Sequence, residues 1–342
     1  MKPLKILKTS RGAFFLRPLE SSDEELLLSA WEIAFGKTFP SQLFHWKYFS
    51  PPWSPRFLLC ISPQGEVCVF YGGQKQKILW DGREYEVIEL MDNFSHPAYR
   101  DLIGGKGGLF VRVARIYWRT YLKACPFPEE PLPGLRPEVE AVWGIPGKRH
   151  FRLGKLLLSY QELPGDVFYA EKRPSLRAST SKPQGEMRSS AQDPYPSLAP
   201  LLENPQRVFP SSLVKDDHYF FWRFWKNPQK DYRLFLWRSP GGKPLAAIFL
   251  SEEGEKVSLL DLLAAEPRYL WEALKALEAH YPDKVLRVWL GGNFQLRELF
   301  LLLGYQKLPE PLGIIPAMKG FTAAFSKISL SFNWVMGDAD LF

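Results

Sequence analysis

A glycine-rich stretch with basic side chains is the part of the sequence best suited to bind an anion. Residues 95–110 read SHPAYRDLIGGKGGLF and stand between an apolar run and a segment with the apolar spacing of a helix. Glycines let a ligand approach the backbone, and the unpaired amides of a helix N-terminus attract negative charge. Arg100 and Lys106 would add charge-assisted hydrogen bonds. The stretch therefore predicts a phosphate-binding turn between a strand and a helix, with a plain flexible turn as the alternative.

The overall charge also points to an anionic partner. The 342 residues carry a formal net charge of +7, and the isoelectric point is about 9.1. A nucleotide-like cofactor, an acidic glycan, a nucleic acid and an anionic lipid surface are all compatible with this charge. Aromatic residues make up 15% of the chain, which indicates that some of them line a cleft.

The cysteines and histidines form no metal-binding motif. Cys60, Cys68 and Cys125 lack CxxC spacing, and the five histidines are scattered along the chain. We therefore predict buried thiols, no bound metal and a reducing, cytoplasmic environment. No stretch has the apolar length of a signal peptide or of a transmembrane helix, so neither is predicted.

The sequence contains two similar halves separated by a segment rich in Pro and Ser. Trp46 corresponds to Trp222 and Pro52 to Pro228 at the same sequence separation, and both stretches read as a helix, a Pro turn and a strand hairpin. We predict a domain at 1–172, a linker at 173–206 and a domain at 207–342. Each domain is expected to have an α/β (α+β) fold, with a mixed, mostly antiparallel sheet flanked by helices.

The motifs at the junctions of these elements resemble those of the GNAT superfamily of N-acetyltransferases, in its tandem two-domain form. Four segments carry the resemblance, and it covers most of the chain apart from the linker. They are WKY…P at 46–52, HPAYR…GGKGG at 96–108, GIPGKRHFRLGK at 144–155, and the terminal WVMGDADLF.

The resemblance implies where an acyl-coenzyme A would bind. In that family a long strand parts from its neighbour, the acyl donor lies in the gap, and an Arg/Gln-x-x-Gly-x-Gly loop holds the pyrophosphate. The loop in this sequence is longer than that pattern. The implied binding residues are Phe94, Ser95, Arg100, Gly104, Gly105, Lys106, Gly107 and Gly108.

The resemblance also implies catalytic candidates. Family members commonly take the general base from an acidic residue on the long strand, which here is Glu89 or Asp92. Strand alternation places these two on opposite faces, so at most one would enter the cleft, and Asp92 is nearer the parting point. The family's acid is a tyrosine four residues before a closing glycine; here that position is His150, and Tyr160 is a substitute.

The second half departs from the family pattern. Glu266 and Pro267 stand where the first half has its glycines, and an acidic residue there would repel phosphate. Phe300 occupies the position four residues before Gly304. The C-terminal domain is therefore interpreted as degenerate.

These patterns predict an N-acyltransferase, an N-acetyltransferase in the first instance, which moves an acyl group from acetyl-CoA or another acyl-CoA to an amine. An amino sugar or an amino acid is the suggested acceptor, and no metal takes part. Two alternatives stay open. One is a FemABX-like transferase that uses aminoacyl-tRNA, so that tRNA is not excluded although nucleic acid is otherwise not favoured. The other is a non-catalytic ligand-binding module.

Overall fold

The computed structural model describes residues 5–9, 11–100, 108–174, 185–204, 207–208, 211–292 and 294–339. The chain divides into two compact units. Unit 1 comprises Met1–Leu163 and Ile314–Leu330, and unit 2 comprises Pro164–Gly313 and Ser331–Phe342. Each unit contains one mixed, mostly antiparallel sheet flanked by helices, which confirms the predicted fold class.

The sheet of unit 1 runs in the order β1-β2-β3-β4-β5-β7-β16-β8, and β6 pairs with β4 outside this path. Among the described strands of this sheet, β5 and β7 are parallel neighbours and the other pairs are antiparallel. The strands are β1 (Lys5–Thr9), β2 (Gly12–Pro18), β3 (Pro55–Ile61), β4 (Val67–Trp80), β5 (Arg83–Leu90), β6 (Phe94–Ser95), β7 (Ala141–Gly144), β8 (Gln161–Glu162) and β16 (Ala317–Gly320).

Helices cover both faces of this sheet. They are α1 (Glu24–Phe35), α2 (Ser41–Tyr48), α3 (Leu109–Tyr121), α4 (Lys148–Leu157) and α9 (Ala323–Ser331). Leu27, Phe44 and Tyr48 of the first two helices form one apolar core with Phe57 and Phe70 of the sheet. Helices α3 and α4 form a second core on the opposite face, in which the apolar stripe of α3 packs on the sheet.

Unit 2 repeats this plan with the sheet order β10-β11-β12-β13-β14-β9-β15, and β17 pairs with β14. Its strands are β9 (Phe168–Lys172), β10 (Glu186–Ser189), β11 (Arg233–Arg238), β12 (Pro244–Glu253), β13 (Lys256–Ala264), β14 (Val285–Gly291), β15 (Gln306–Leu308) and β17 (Trp334–Val335). Its helices are α5 (Ala199–Leu202), α6 (Asp217–Phe220), which continues as a π-helical turn over Phe221–Trp225, α7 (Pro267–His280) and α8 (Phe294–Leu302).

The two halves of the sequence exchange one strand each. In unit 1, β16 from the C-terminal half lies between β7 and β8. In unit 2, β9 from the N-terminal half lies between β14 and β15. The division therefore differs from the predicted boundaries at 172 and 207. The predicted linker also contains structure, since β10 pairs with β11 and α5 follows it.

No helix in the described part of the chain has both the length and the apolar character needed to cross a bilayer.

Candidate active site

Unit 1 contains a gap between two strands that start as neighbours. The parallel ladder of β5 and β7 runs from Val87 opposite Ala141 to Glu89 opposite Trp143. Beyond this point β6 pairs with β4 alone, with Phe94 opposite Phe70. Gly144, the last residue of β7, still lies next to Leu90, the last residue of β5, since a Cβ at Gly144 would be 2.9 Å from the carbonyl oxygen of Leu90. The two strands therefore part only beyond Leu90 and Gly144.

A bulge between β5 and β6 produces this divergence. Asp92 has a φ of 55°, a left-handed conformation that ends the regular strand. The side-chain oxygen of Asn93 accepts a hydrogen bond of 2.6 Å from the amide of Gly72 on β4. Gly72 itself has a φ of 150°, and a Cβ there would lie 2.1 Å from the carbonyl oxygen of Arg56. The close approach of β3 to β4 opposite the bulge therefore depends on a glycine at this position.

The first turns of α3 and α4 lie side by side at the ends of the parted strands. Gly108 is the N-cap of α3, and α4 begins shortly after β7. The ring centroids of Phe110 in α3 and His150 in α4 are 5.9 Å apart. The first turn of α3, whose amides have no partner within the helix, therefore lies beside α4, and an anion would be attracted there.

The structure places only some of the predicted binding residues. Gly104, Gly105, Lys106 and Gly107 lie outside the described residues. Arg100 is exposed, and its Nε donates a hydrogen bond of 3.2 Å to the carbonyl oxygen of Ser95. The side chain of Phe94 is only 4% exposed and packs against Phe70, so it contributes to the core rather than to the lining of the gap.

Tyr160 lies in a buried hydrogen-bond network beneath α4. Its hydroxyl is 3.1 Å from the hydroxyl of Tyr71 on β4, which also accepts a hydrogen bond of 3.0 Å from Nε1 of Trp118. The Trp118 and Tyr160 rings are stacked with their centroids 5.6 Å apart. A Cβ at Gly154 would lie 2.3 Å from the Tyr160 ring, so the glycine of α4 makes room for this side chain.

Burial acts in opposite directions on the two acid candidates. It raises the pKa of Tyr160 to about 12, because the phenolate would be poorly solvated. It lowers the pKa of His150, because the imidazolium would be poorly solvated. At neutral pH Tyr160 thus retains its proton and His150 is uncharged. The His150 ring is stacked over Tyr160 at a centroid distance of 6.1 Å, so the two side chains form one group.

Glu89 lies in a second buried network next to the parting point. It is 5% exposed and accepts a hydrogen bond of 2.6 Å from Nε2 of Gln76. The side-chain oxygen of Gln76 accepts a hydrogen bond of 3.1 Å from Nε1 of Trp143 on β7. Its neighbour Ile88 packs in the α3–α4 core, so alternation directs Glu89 to the α1–α2 side of the sheet.

Asp92 forms an ion pair with α2. Its Oδ2 is 2.6 Å from Nζ of Lys47 and accepts a hydrogen bond of 2.8 Å from the hydroxyl of Tyr48. Asp92 therefore lies on the α1–α2 side, as Glu89 does. The expectation of opposite faces was wrong because it assumed a continuous strand through 89–92, whereas the bulge interrupts the alternation at Asp92.

Sequence reasoning missed three polar residues of this site, Lys47, Tyr71 and Gln76. Lys47 stands between aromatic residues in a motif that was interpreted only as a helix end. Tyr71 and Gln76 belong to a strand and show no chemical signal of their own. Consecutive glycines at 72 and 73 inside a strand are the feature that could have located the bulge, because glycine in a strand interior marks a bulge or a close backbone approach.

The corresponding gap in unit 2 is filled by protein. The β13–β14 ladder ends at Leu259 opposite Val288, and β17 then pairs with β14 at Leu290 and Gly291. The turn after β17 reaches β13, since a Cβ at Gly337 would lie 2.9 Å from the carbonyl oxygen of Leu260. Residues 334–338 thus occupy the place beside β14 that β13 leaves. We call them the plug segment.

A buried ion cluster holds the plug segment. Nζ of Lys215 lies 2.7 Å from Oδ2 of Asp261 on β13 and also pairs with Asp338, and all three side chains are fully buried. Nε of Arg223 donates a hydrogen bond of 3.2 Å to the carbonyl oxygen of Gly337. Two carboxylates and one ammonium group thus connect the plug segment to the strand beside it.

The described residues offer no arrangement of side chains for metal ligation. Within the described ranges, no group of three or more His, Cys, Asp or Glu side chains is arranged to hold a metal ion.

No protein-family model matches the chain, and no curated protein matches it. Among solved structures it is similar to a GCN5-related N-acetyltransferase from Anabaena variabilis, with a TM-score of 0.57, 12% identity, and coverage of 89% of this chain and 72% of the other. It is similar to an Enterococcus faecalis protein described as a probable N-acyltransferase, with a TM-score of 0.55, 10% identity and coverage of 89% and 71%. Saccharomyces cerevisiae N-myristoyltransferase, solved with bound myristoyl-CoA, gives a TM-score of 0.54, 12% identity and coverage of 94% and 81%.

At these identities the likeness shows the fold alone. The chain has the fold of the GCN5-related N-acetyltransferases, as its motifs predicted.

Proposed function

We propose that the chain is an N-acyltransferase that uses an acyl-coenzyme A as donor and an amine as acceptor, with the active site in unit 1. The observation that carries the proposal is the parting of β5 and β7 beyond Leu90 and Gly144, where β6 returns to β4. Tyr160 lies between α4 and one face of the sheet, and Glu89 lies on the opposite face. Both are close to the parting point.

The donor would lie in this gap with its diphosphate at the start of α3. Gly108 caps that helix without a side chain, so no side chain at the cap competes with a phosphate group for the first amides. Arg100, Gly104, Gly105, Lys106 and Gly107 remain the predicted remainder of the diphosphate site. Acetyl-CoA is the first donor to test. Experiment must then define which acyl chain the protein transfers.

The reaction would be a direct attack of the amine on the thioester carbonyl. A C–N bond forms, the C–S bond breaks, and the amine loses one proton while the departing sulfur gains one. Glu89 is the proposed acceptor of the amine proton, directly or through one water. Asp92 is assigned a positioning role, because its ion pair with Lys47 fixes α2 against the bulge.

Tyr160 is the proposed acid. Since burial raises its pKa to about 12, it retains its proton across the neutral range and can donate to the departing thiolate. His150 is uncharged there and would hold the Tyr160 ring in place through their stacked contact.

Isothermal titration with coenzyme A and with acetyl-CoA tests the proposal. The matched pair is Gly108→Ala and Gly108→Glu, because Gly108 has a φ of −53° that alanine tolerates and only glutamate adds a negative charge at the α3 N-terminus. We expect binding to persist in the alanine variant and to weaken at least about tenfold in the glutamate variant. Equal affinity in both variants, or no affinity of the parent protein for either compound, would contradict the proposal.

A further inference from the structure

Helix α4 presents an exposed face that combines apolar and basic side chains. Leu153 and Leu156 are 40% and 80% exposed, which is unusual for large apolar residues on a helix that also packs on a core. Arg149 and Arg152 are exposed one turn before them. Positions 149, 152, 153 and 156 share one side of a helix, so the four side chains form a single stripe. We call it the α4 face.

This face carries an uncompensated positive charge. Helix α4 has the sequence KRHFRLGKLL and contains no acidic residue. In the described part of the chain, none of its four Lys and Arg side chains makes an ion pair. On neighbouring α3, by contrast, Arg115 pairs with Glu129 at 3.5 Å. No acidic side chain of the described residues thus neutralises the charge of the α4 face.

The α4 face lies next to the proposed donor site. The inner side of the same helix carries His150, which contacts Phe110 at the start of α3, and Phe151, which is buried in the core. A partner on the outer side would thus lie against the helix that follows β7 and contacts the first turn of α3. A thioester on an arm extending from that partner could enter where the diphosphate of coenzyme A is proposed to lie.

We infer that the α4 face docks an acidic protein that delivers the acyl group as a thioester on a phosphopantetheine arm. The inference rests on the proposed function, and it names the protein that would carry the acyl group. Charge complementarity identifies the partner as acidic, and the two leucines supply the apolar centre that protein interfaces use. The reaction is unchanged: the amine forms the C–N bond, the C–S bond breaks, and the arm leaves with a free thiol.

A membrane surface is the competing occupant, and the dimensions of the face disfavour it. The stripe from 149 to 156 is roughly 10 Å long, which matches contact with one helix of a small partner. Interfacial membrane helices bury a continuous apolar face that commonly includes aromatic residues. The α4 face offers two leucines and no aromatic side chain.

The experiment measures binding, so that it does not depend on knowing the acceptor. The variant is Arg149→Glu/Arg152→Glu, and the control is Arg83→Glu/Arg136→Glu, which makes the same change in net charge at exposed positions of unit 1 away from α4. Each protein is titrated with a purified acyl carrier protein bearing the phosphopantetheine arm, with coenzyme A, and with vesicles containing phosphatidylglycerol. A second variant, Leu156→Asp, tests the apolar centre.

We expect the parent protein and the control to bind the carrier protein, with affinity that falls as salt rises. The α4 variant and Leu156→Asp should bind it at least about tenfold more weakly, while the dissociation constant for coenzyme A changes less than about threefold. Binding of coenzyme A without binding of the carrier overturns this inference and leaves the proposed function intact. An equal loss for both ligands, or vesicle binding that depends on Arg149 and Arg152, also overturns it. Binding of neither ligand contradicts the proposed function itself.

Discussion

The buried ion cluster of unit 2 predicts a pH-dependent stability that one substitution should remove. Asp261 and Asp338 share the single ammonium group of Lys215, and none of the three side chains is exposed. Burial raises the pKa of Asp261 to about 6. The attraction of Lys215 opposes this increase, and the negative charge of Asp338 adds to it. The perturbation is Asp261→Asn, which retains an oxygen that can accept from Lys215 but cannot ionise.

The sign and the size of the effect follow from the two pKa values of Asp261. The carboxyl has an ordinary pKa of 3.8 when unfolded and about 6 when folded, so the folded protein binds more protons between these values. Stability therefore falls as pH rises through this window and levels off above it. At about 1.4 kcal/mol per pKa unit, the full loss is about 3 kcal/mol, of which about 1 kcal/mol falls between pH 5 and pH 7.5.

Denaturant unfolding, monitored by hydrogen exchange in peptides of β13, measures this effect in unit 2. The free energy of unfolding of Asp261→Asn minus that of the parent protein should increase by about 1 kcal/mol between pH 5 and pH 7.5. Asp283→Asn, an exposed substitution in the same unit, is the control. Parallel pH profiles for Asp261→Asn and the parent would refute the reasoning, because they would mean that Asp261 binds no extra proton in the folded state.

Three further outcomes follow from the buried networks. Lys215→Met should destabilise unit 2 by about 3–5 kcal/mol in denaturant unfolding, because it leaves two buried carboxylates without their cation; a loss below 1 kcal/mol would contradict the cluster. Gly154→Val should cost about 1–3 kcal/mol, since its Cβ would meet the Tyr160 ring at 2.3 Å, whereas unchanged stability would mean that the ring moves freely. Tyr160→Phe should lower turnover with acyl-CoA by about 10²–10⁴-fold with little change in coenzyme A affinity, and full activity would remove Tyr160 as the acid.

The order of helices and strands could be predicted from the sequence, because the patterns that indicate each element are local. Each half carries a helix, a Pro turn and an apolar hairpin, and α2–β3–β4 and α6–β11–β12 have this order. The strand exchange was not predictable by the same means. Strand β16 has four residues, and its partners in β7 and β8 lie more than a hundred residues earlier in the sequence. Short strands of similar composition can pair in more than one way, and local patterns do not select among them.

For the candidate site, the sequence indicated residue types, whereas the structure gives the positions of the described residues. The acidic residues of the strand and the His150–Tyr160 pair lie near the gap. The ion pair of Asp92 with Lys47 depends on a bulge and on the approach of α2, and neither has a signature at positions 89–92. Likewise, no signal in the sequence showed that the ring of Phe94, a predicted binding residue, packs in the α1–α2 core.

The two units solve one structural problem in different ways. A sheet whose neighbouring strands part exposes backbone groups that need partners. In unit 2, β17 supplies them as a short extended segment beside β14, and Arg223 donates to the carbonyl oxygen of Gly337 that follows it. The corresponding position in unit 1 is Lys47, by the correspondence of Trp46 with Trp222, and it binds Asp92 at the bulge instead.

We expect the gap of unit 1 to accept the kind of segment that fills the gap of unit 2. One extended backbone segment occupies the space between β13 and β14 and pairs with β14 at Leu290 and Gly291. The pantetheine arm of coenzyme A is an extended chain with two amide groups, so it can offer a parted strand the same kind of hydrogen bonds as the plug segment. A peptide that copies residues 334–339 should therefore compete with coenzyme A for the parent protein. If the peptide binds without displacing coenzyme A, the correspondence between the two gaps is wrong.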